Sequence, residues 1–469
     1  MNLYLLVLVL YGTALIGLGI WLSRSVKRVP DFFIAGRRLG PGLLFSTVLA
    51  ANIGAGSTVG AAGLGYMLGL SGWWWVGSAG LGSLVLAFLV GPRIRRRAQK
   101  FDYLTVGDFL EHRYGTSVRS AIGVILWLIS LAILAGQLMA FSRVLEVVAG
   151  TSKTTGCLLG GIVVVSYFSA AGLQGTAWIN LLQLVVKGIG FVLAVPFALA
   201  AVGGWQKLQE NILSSGAHGP EYFSLTGIGS EAILAYLVML VPSFFVSPGL
   251  LQKVYGARDD RAVRLGVGLN ALVLLLFAFL PVILGMIAAS AVPDLAHEDL
   301  ALPTVMVELV PFWLGSILLA AVFSAEISSA DAILFMLSTS LARDLYQTYI
   351  NPQIEDRKML SMSRWISVVA GVLSVMLAIV LPSVIAALGI FYSLLTAALF
   401  VPLLAGLYWM RPGRRTAFVA IIVAVAITIT LSLAPDVSLG ILSPTAVGIL
   451  VSLLIFAAGS QLERSTHSK

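Results

Sequence analysis

Runs of about 20 apolar residues succeed one another from one end of this chain to the other. Such a run, wound as an α-helix, spans a hydrocarbon core about 30 Å thick. About 13 spans are expected, at roughly 3–23, 41–66, 72–92, 118–148, 154–171, 175–203, 231–252, 264–291, 303–343, 361–381, 383–409, 416–434 and 442–460. The 303–343 run is too long for one crossing and is expected to begin with an external loop helix. Only 11% of the residues are charged, the mean hydropathy is +0.98 and 59% are hydrophobic. A soluble domain carries roughly a quarter charged residues. The fold class is therefore an all-α polytopic membrane protein with no appended soluble domain. The stretch 3–23 lacks a basic leading region and a small-residue cleavage site, so it reads as a retained helix rather than a signal peptide.

The net charge of +8 is distributed as an orientation signal. Basic residues gather in alternate loops: Arg24, Lys27, Arg28, Arg37 and Arg38; Arg93, Arg95, Arg96, Arg97 and Lys100; Lys253, Arg258, Arg261 and Arg264; Arg357, Lys358 and Arg364; Arg411, Arg414 and Arg415. The opposite loops carry acids such as Glu210, Glu221, Asp294, Glu298 and Asp299. The positive-inside rule makes the first set cytoplasmic, with the N-terminus outside and the C-terminus inside. Nucleic-acid binding is excluded by that alternation. A single cysteine, Cys157, rules out an intrachain disulfide, and no zinc-ligand spacing occurs. The four histidines, His112, His218, His297 and His467, lie near span ends or in loops and read as solvated.

Against this apolar background, Ala325-Glu326-Ile327-Ser328-Ser329-Ala330-Asp331 places two carboxylates and two hydroxyls deep in one span. A charge at bilayer depth costs at least about 2.5–3.5 kcal/mol and marks an ion or substrate path. Two other spans contain helix breakers. The second runs Ala50-Ala51-Asn52-Ile53-Gly54-Ala55-Gly56-Ser57-Thr58-Val59-Gly60, and the seventh Pro242-Ser243-Phe244-Phe245-Val246-Ser247-Pro248-Gly249. Irregular backbone at this depth is tolerated where it lines a cavity; close packing through small residues is the bland alternative. The two broken spans are five apart, and five is odd, so the second set enters the membrane from the opposite side. That is an inverted repeat of five plus five helices, with the site at its discontinuous helices. The organisation expected is a peripheral helix (1–30), a first half (31–203), an extracellular loop (204–230), a second half (231–410), and two peripheral helices with a short cytoplasmic tail (411–469). Cavity candidates follow from the breaks: Asn52, Gly56 and Ser57, then Ser243, Phe244 and Ser247. Of Trp73, Trp74 and Trp75, the others belonging to an interfacial belt, Trp74 is the cavity candidate. Phe391 and Tyr392 are either an aromatic lid or core.

The motif Phe32-Phe33-Ile34-Ala35-Gly36-Arg37-Arg38-Leu39-Gly40-Pro41 is followed by the Gly-rich second span and by Gly172-Leu173-Gln174 through Trp178 to Gln183. Next come Gln252-Lys253 with Ala257-Arg258-Asp259, and Ser328-Ser329-Ala330-Asp331 leading to Leu337-Ser338-Thr339 and Asp344-Leu345-Tyr346. This ordered set, over about residues 30–410, resembles the sodium:solute symporter family, whose fold is of the LeuT type. The resemblance implies sodium-coupled solute uptake. It implies a sodium ion held by the carbonyls of Ala50, Ile53 and Ala325 and the hydroxyls of Ser328 and Ser329. Hard cations prefer such oxygen ligands, and Ala325, Ser328 and Ser329 share a helix face.

The chain departs from the family where an acid is usual: Trp178-Ile179-Asn180 places the neutral Asn180 there. Gln183 and Lys187 follow on the same face. Lys187 lies mid-span and needs an anionic partner or must give up its proton. Glu326 and Asp331 are the deep carboxylates on offer. Two readings stay open: an ammonium in or beside the sodium position, making transport proton-coupled or cation-independent, or a static ion pair beside a normal sodium site. The substrate class expected is a small polar organic solute, an acid, amino acid or compatible solute. Gly56 and Ser57 stand where sugar-binding members carry larger polar groups. A solute sensor would need a long cytoplasmic tail, whereas the chain ends at Lys469 soon after its last span. A channel would need a continuous polar pore. No nucleophile–base pair, metal-enzyme motif or organic cofactor motif occurs, so an enzyme is not expected.

Overall fold

A computed structural model describes residues 3–23, 37–347, 349–351, 353–409, 413–434 and 441–467. The motif at 32–36 and the side chain of Asn180 lie outside the described residues. Helix dominates, and the described residues contain one isolated parallel bridge, between Leu39 and Ala257. In chain order the helices are α1 (Leu3–Ser23), α2 (Pro41–Asn52), α3 (Val59–Leu68), α4 (Trp73–Val85), α5 (Gly91–Phe101), α6 (Val106–Tyr114), α7 (Thr116–Ala149), α8 (Lys153–Ala201) and α9 (Gly204–Ser214). They continue as α10 (Gly229–Val246), α11 (Pro248–Tyr255), α12 (Asp260–Phe277), α13 (Phe279–Ala291), α14 (Phe312–Thr339), α15 (Asp356–Val380), α16 (Val384–Tyr408), α17 (Arg414–Ser432) and α18 (Pro444–His467).

Among the described residues, ten helical stretches are long and apolar enough to cross a membrane, and three shorter apolar helices accompany them: Leu3–Leu15, Pro41–Asn52 and Lys153–Ser166. The difference from the expected spans has physical causes. The expected second span is cut at Ile53–Gly54, and its second part joins α4 through a tight turn at Gly69–Gly72. Helical backbone also runs through the expected boundary near residues 171–175, inside α8. The long 303–343 run divides at Pro311, where the backbone is extended, leaving short outer turns before α14.

Two groups of helices pack around the centre. One is α2, α4, α10 and α12; the other is α7, α8, α14 and α15. α2 also lies against α8 and α14, and the functional centre forms in that seam. Close approach depends on missing side chains. A Cβ on Gly285 of α13 would meet the Ala62 carbonyl oxygen at 1.9 Å, and one on Gly65 of α3 would meet that of Val282 at 2.2 Å. At the basic ends, Arg97 donates to the carbonyls of Gly406 (2.8 Å) and Leu407 (3.1 Å) at the end of α16. Arg95 pairs with Asp260 at 2.7 Å, tying α5 to the start of α12. A cation on the last carbonyls of a helix satisfies both their lone pairs and the helix dipole.

On the opposite side, the loop before α14 is clasped to α16. His297 Nε2 contacts the Pro382 carbonyl at 2.9 Å, and the Val384 amide donates to Asp299 at 3.0 Å. His297 thus makes specific bonds, where a solvated side chain is expected from the sequence. It gathers with Glu298 and Asp299, their nearest ligand atoms all within 4.8 Å. Burial pushes the Asp299 carboxyl above its ordinary range.

Overfilling a packed seam costs about 1–3 kcal/mol or more. Gly285→Val is therefore expected to lower the thermal midpoint sharply or abolish monodisperse protein. Gly389→Ala, where nothing lies within 4 Å of a new Cβ, is expected to leave it unchanged. Equal midpoints for the two variants would contradict the packing described.

Candidate cation and solute site

The centre of the molecule is the break between α2 and α3. α2 ends at Asn52, Ile53 and Gly54 are extended, and a single tight turn, Ala55–Ser57, leads into α3. Gly54 is required here: a Cβ would lie 2.3 Å from Ser329 Oγ and 2.8 Å from Gln137 Oε1. Side chains replace the lost helical bonds. The Ala55 amide donates to Gln137 Oε1 at 2.9 Å, and the Gly54 amide to Ser57 Oγ at 3.0 Å. The last carbonyls of α2 gain no such partners from their own helix. They point into the seam with α14, forming the partly negative end of a helix dipole.

α14 meets this end with two hydroxyls. Ser328 Oγ lies 3.0 Å from the Ala50 carbonyl oxygen and 3.2 Å from that of Ala325. Ser329 Oγ lies 3.2 Å from the Ile53 oxygen and 3.4 Å from that of Ala50. All five residues implied by the family resemblance, Ala50, Ile53, Ala325, Ser328 and Ser329, thus surround one buried position. Lys187 of α8 reaches the same place. Its ammonium donates to Ser328 Oγ at 2.8 Å and to the Ile53 carbonyl at 3.3 Å, and the residue is fully buried. A cation suits this position on the structure's own terms, because one already stands there.

The other end of the break is organised for negative charge. Glu326 Oε1 accepts from Thr58 Oγ1 at 3.1 Å, and Thr58 also donates to the Gly54 carbonyl at 2.9 Å. Thr58 precedes α3, so the carboxylate sits by that helix's partly positive start. The two charges match the two half-helix dipoles. Glu326 is also the acid that acts electrostatically on Lys187. Asp331 instead acts electrostatically on Lys253 of α11, so the two acids are divided between two lysines. The reason is helical geometry: five residues along a helix is a turn of about 140° beyond full rotation, so Glu326 and Asp331 face different neighbours. Gln183, one turn before Lys187, is wholly buried with both amide atoms unpartnered, and Glu326 Oε2 is unpartnered too.

Beside the break lies a cavity of about 820 Å³, a volume that includes its open mouth. Its lining includes Asn52, Gly56, Ser57, Ser243, Phe244, Ser247, Phe391 and Tyr392. The tryptophan on it is Trp75, not Trp74. The Trp74 indole N–H is turned to the Leu225 carbonyl in the loop before α10, at 2.7 Å. Tyr392 is the hub of the aromatic wall, with ring centroids 5.5 Å from Phe244, 5.9 Å from Trp75 and 5.3 Å from Phe391. Two further polar lining residues are Gln137 and Lys253. Lys253 brings a basic side chain to the cavity wall, with Asp331 acting on it electrostatically, whereas the sequence alone groups it with a cytoplasmic loop cluster. Its signal lay in the spacing: Lys253 follows Pro248 by five residues, and helical side chains lean toward the N-terminus, here toward the break. Ser329 lines this cavity as well as the cation position, so the two sites share a wall.

Comparison with known proteins agrees with this architecture. The model of the sodium:solute symporter family matches residues 32–424. A sodium/pantothenate symporter of Escherichia coli is 28% identical over 98% of this chain and 97% of its own length. A sodium/glucose cotransporter of Vibrio parahaemolyticus is 23% identical over 92% of this chain and 85% of its own. Among solved structures, a substrate-bound, outward-open Na+-coupled sialic acid symporter superposes with a TM-score of 0.81 at 18% identity, covering 98% of this chain and 97% of that one. A nucleobase-cation-symport-1 family transporter follows with a TM-score of 0.63 at 15% identity, covering 94% of this chain and 97% of that one. The five-plus-five architecture of the LeuT type is therefore the fold, and the chain belongs to the sodium:solute symporter family, as a multi-pass membrane transporter.

Proposed function

We propose that this transporter couples inward movement of a small polar organic solute to a sodium ion, by alternating access. The observation that carries the reading is the convergence of the Ala50, Ile53 and Ala325 carbonyls with Ser328 and Ser329 at the end of a broken helix. Such a set supplies the hard oxygen ligands an alkali cation needs. Its members come from α2 and α14, which belong to the two different helix groups. An ion bound there would draw the groups together at the seam. Ser329, shared with the cavity wall, gives ion and solute a common contact and so a route to coupling. The basic clusters support a cytoplasmic C-terminus and an external N-terminus in a plasma membrane.

The solute side of the reading rests on Lys253. Lys253, with Asp331 as the acid acting on it, stands in a cavity otherwise lined by hydroxyls, amides and aromatic rings; this favours a small polar solute whose carboxylate takes the ammonium's remaining bonds and whose body is apolar. The carboxylate would meet the ammonium and the first amides of α11; the apolar part would lie against Trp75, Phe244 and Tyr392.

Two outcomes are expected. The thermal midpoint of the purified protein should rise saturably in sodium chloride over choline chloride, by mass action on the native state. Ser328→Ala should raise the half-saturating sodium concentration at least tenfold, a change of about 1.4 kcal/mol. A Ser328→Ala curve coinciding with that of the native chain would overturn the ion site. Separately, Lys253→Met should weaken the binding of carboxylate solutes by roughly ten- to a hundredfold, the value of a charge-assisted bond. Neutral solutes of similar shape should bind it unchanged. Equal losses for both solute types would contradict the role given to Lys253.

A further inference from the structure

The ammonium of Lys187 stands where the proposed sodium ion would stand. It bonds Ser328 Oγ at 2.8 Å and the Ile53 carbonyl at 3.3 Å, two of the five oxygen-bearing groups of that site. Two cations cannot share these oxygens, because like charges held this close repel strongly even where the protein screens them well. Either the ammonium or the ion holds the position. The surroundings also contain a second place for the ammonium. Glu326 Oε2 and Gln183 Oε1, both able to accept from the ammonium, are buried with no hydrogen-bond partner, and so is the donor Gln183 Nε2. Buried polar atoms are rarely left so, because an unmet one keeps its full desolvation cost. Gln183 lies one turn before Lys187 on the same face, in the direction helical side chains lean. Glu326 is the acid acting on the ammonium.

We propose that Lys187 is a tethered cation competing with sodium: its ammonium holds the position at the end of α2, and sodium reaches those oxygens only when the ammonium moves to Glu326 and Gln183. The proposal rests on the sodium reading above and adds a step to it. In the ammonium-bound form, the dipole of the broken helix and the α2–α14 seam are satisfied without any ion. Sodium binding then becomes an exchange of one cation for another, with Lys187 pairing with Glu326 in the sodium-bound form. The long flexible stem of lysine allows that movement. Arginine, with its planar fork, would be held more firmly on the carbonyls.

The test is the half-saturating sodium concentration, read from thermal stabilisation in sodium against choline chloride, for the native chain, Lys187→Met and Lys187→Arg. Removal of the competitor is expected to lower that concentration at least tenfold in Lys187→Met, and Lys187→Arg is expected to lose the sodium response. A purely structural lysine would lower the midpoint of Lys187→Met while leaving the sodium dependence where it was; that result overturns the proposal and leaves sodium coupling standing. A sodium response in Lys187→Met but none in the native chain supports the competition and overturns sodium as this chain's coupling ion. No response in either overturns both. Should Lys187→Met fail to fold, Lys187→Arg decides: a retained sodium response at the native concentration overturns the competition.

Discussion

The structure depends on a helix that stops in the middle of the membrane. Where α2 ends, carbonyls that would have bonded the next turn are left facing a protein seam and need partners from other helices. Their satisfaction dictates the rest. Ser328 and Ser329 are positioned by α14, Lys187 by α8, and Gln137 by α7 to serve the broken backbone. The same break opens the cavity, because a segment without helical side-chain packing leaves room beside it. Ion position and solute cavity are two faces of one interruption.

Charge placement follows from that interruption. The lysine lies at the carbonyl end of the first half-helix and the glutamate at the amide end of the second. Each is favoured by the nearby dipole, which offsets part of the several kcal/mol lost on burying an ion. A lysine and a glutamate in the same apolar region thus cost less than their burial alone suggests.

The architecture was legible because its signals are local and strong. Apolar length, alternating basic loops and two breaker-rich spans five apart led to the membrane fold and the inverted repeat. The seam residues came through the family resemblance, with which the spacing of three and four between Ala325, Ser328 and Ser329 agrees, and Lys187 through its depth. Other features needed the third dimension. Three consecutive tryptophans start α4, and it takes the packing of that helix to show that Trp75 rather than Trp74 meets the cavity. Lys253 counted as a loop cation because α11 is short, and a short half-helix brings a residue near its end back to the break. Gln137 carries no sequence mark apart from being polar amid an apolar run; its role appears only when Gly54 is found beside it. The division of Glu326 and Asp331 between two lysines follows from helical rotation, yet which lysine each meets depends on tertiary packing.

The central claim is that the break in α2 converts an ion gradient into solute movement. Purified protein in sealed vesicles, given a panel of small labelled carboxylates with and without an inward sodium gradient, tests it most directly. Accumulation of one of these solutes above its external concentration, present only under the gradient and abolished when sodium is equal on both sides, is the result predicted. Equilibration to the same level with and without the gradient would contradict it.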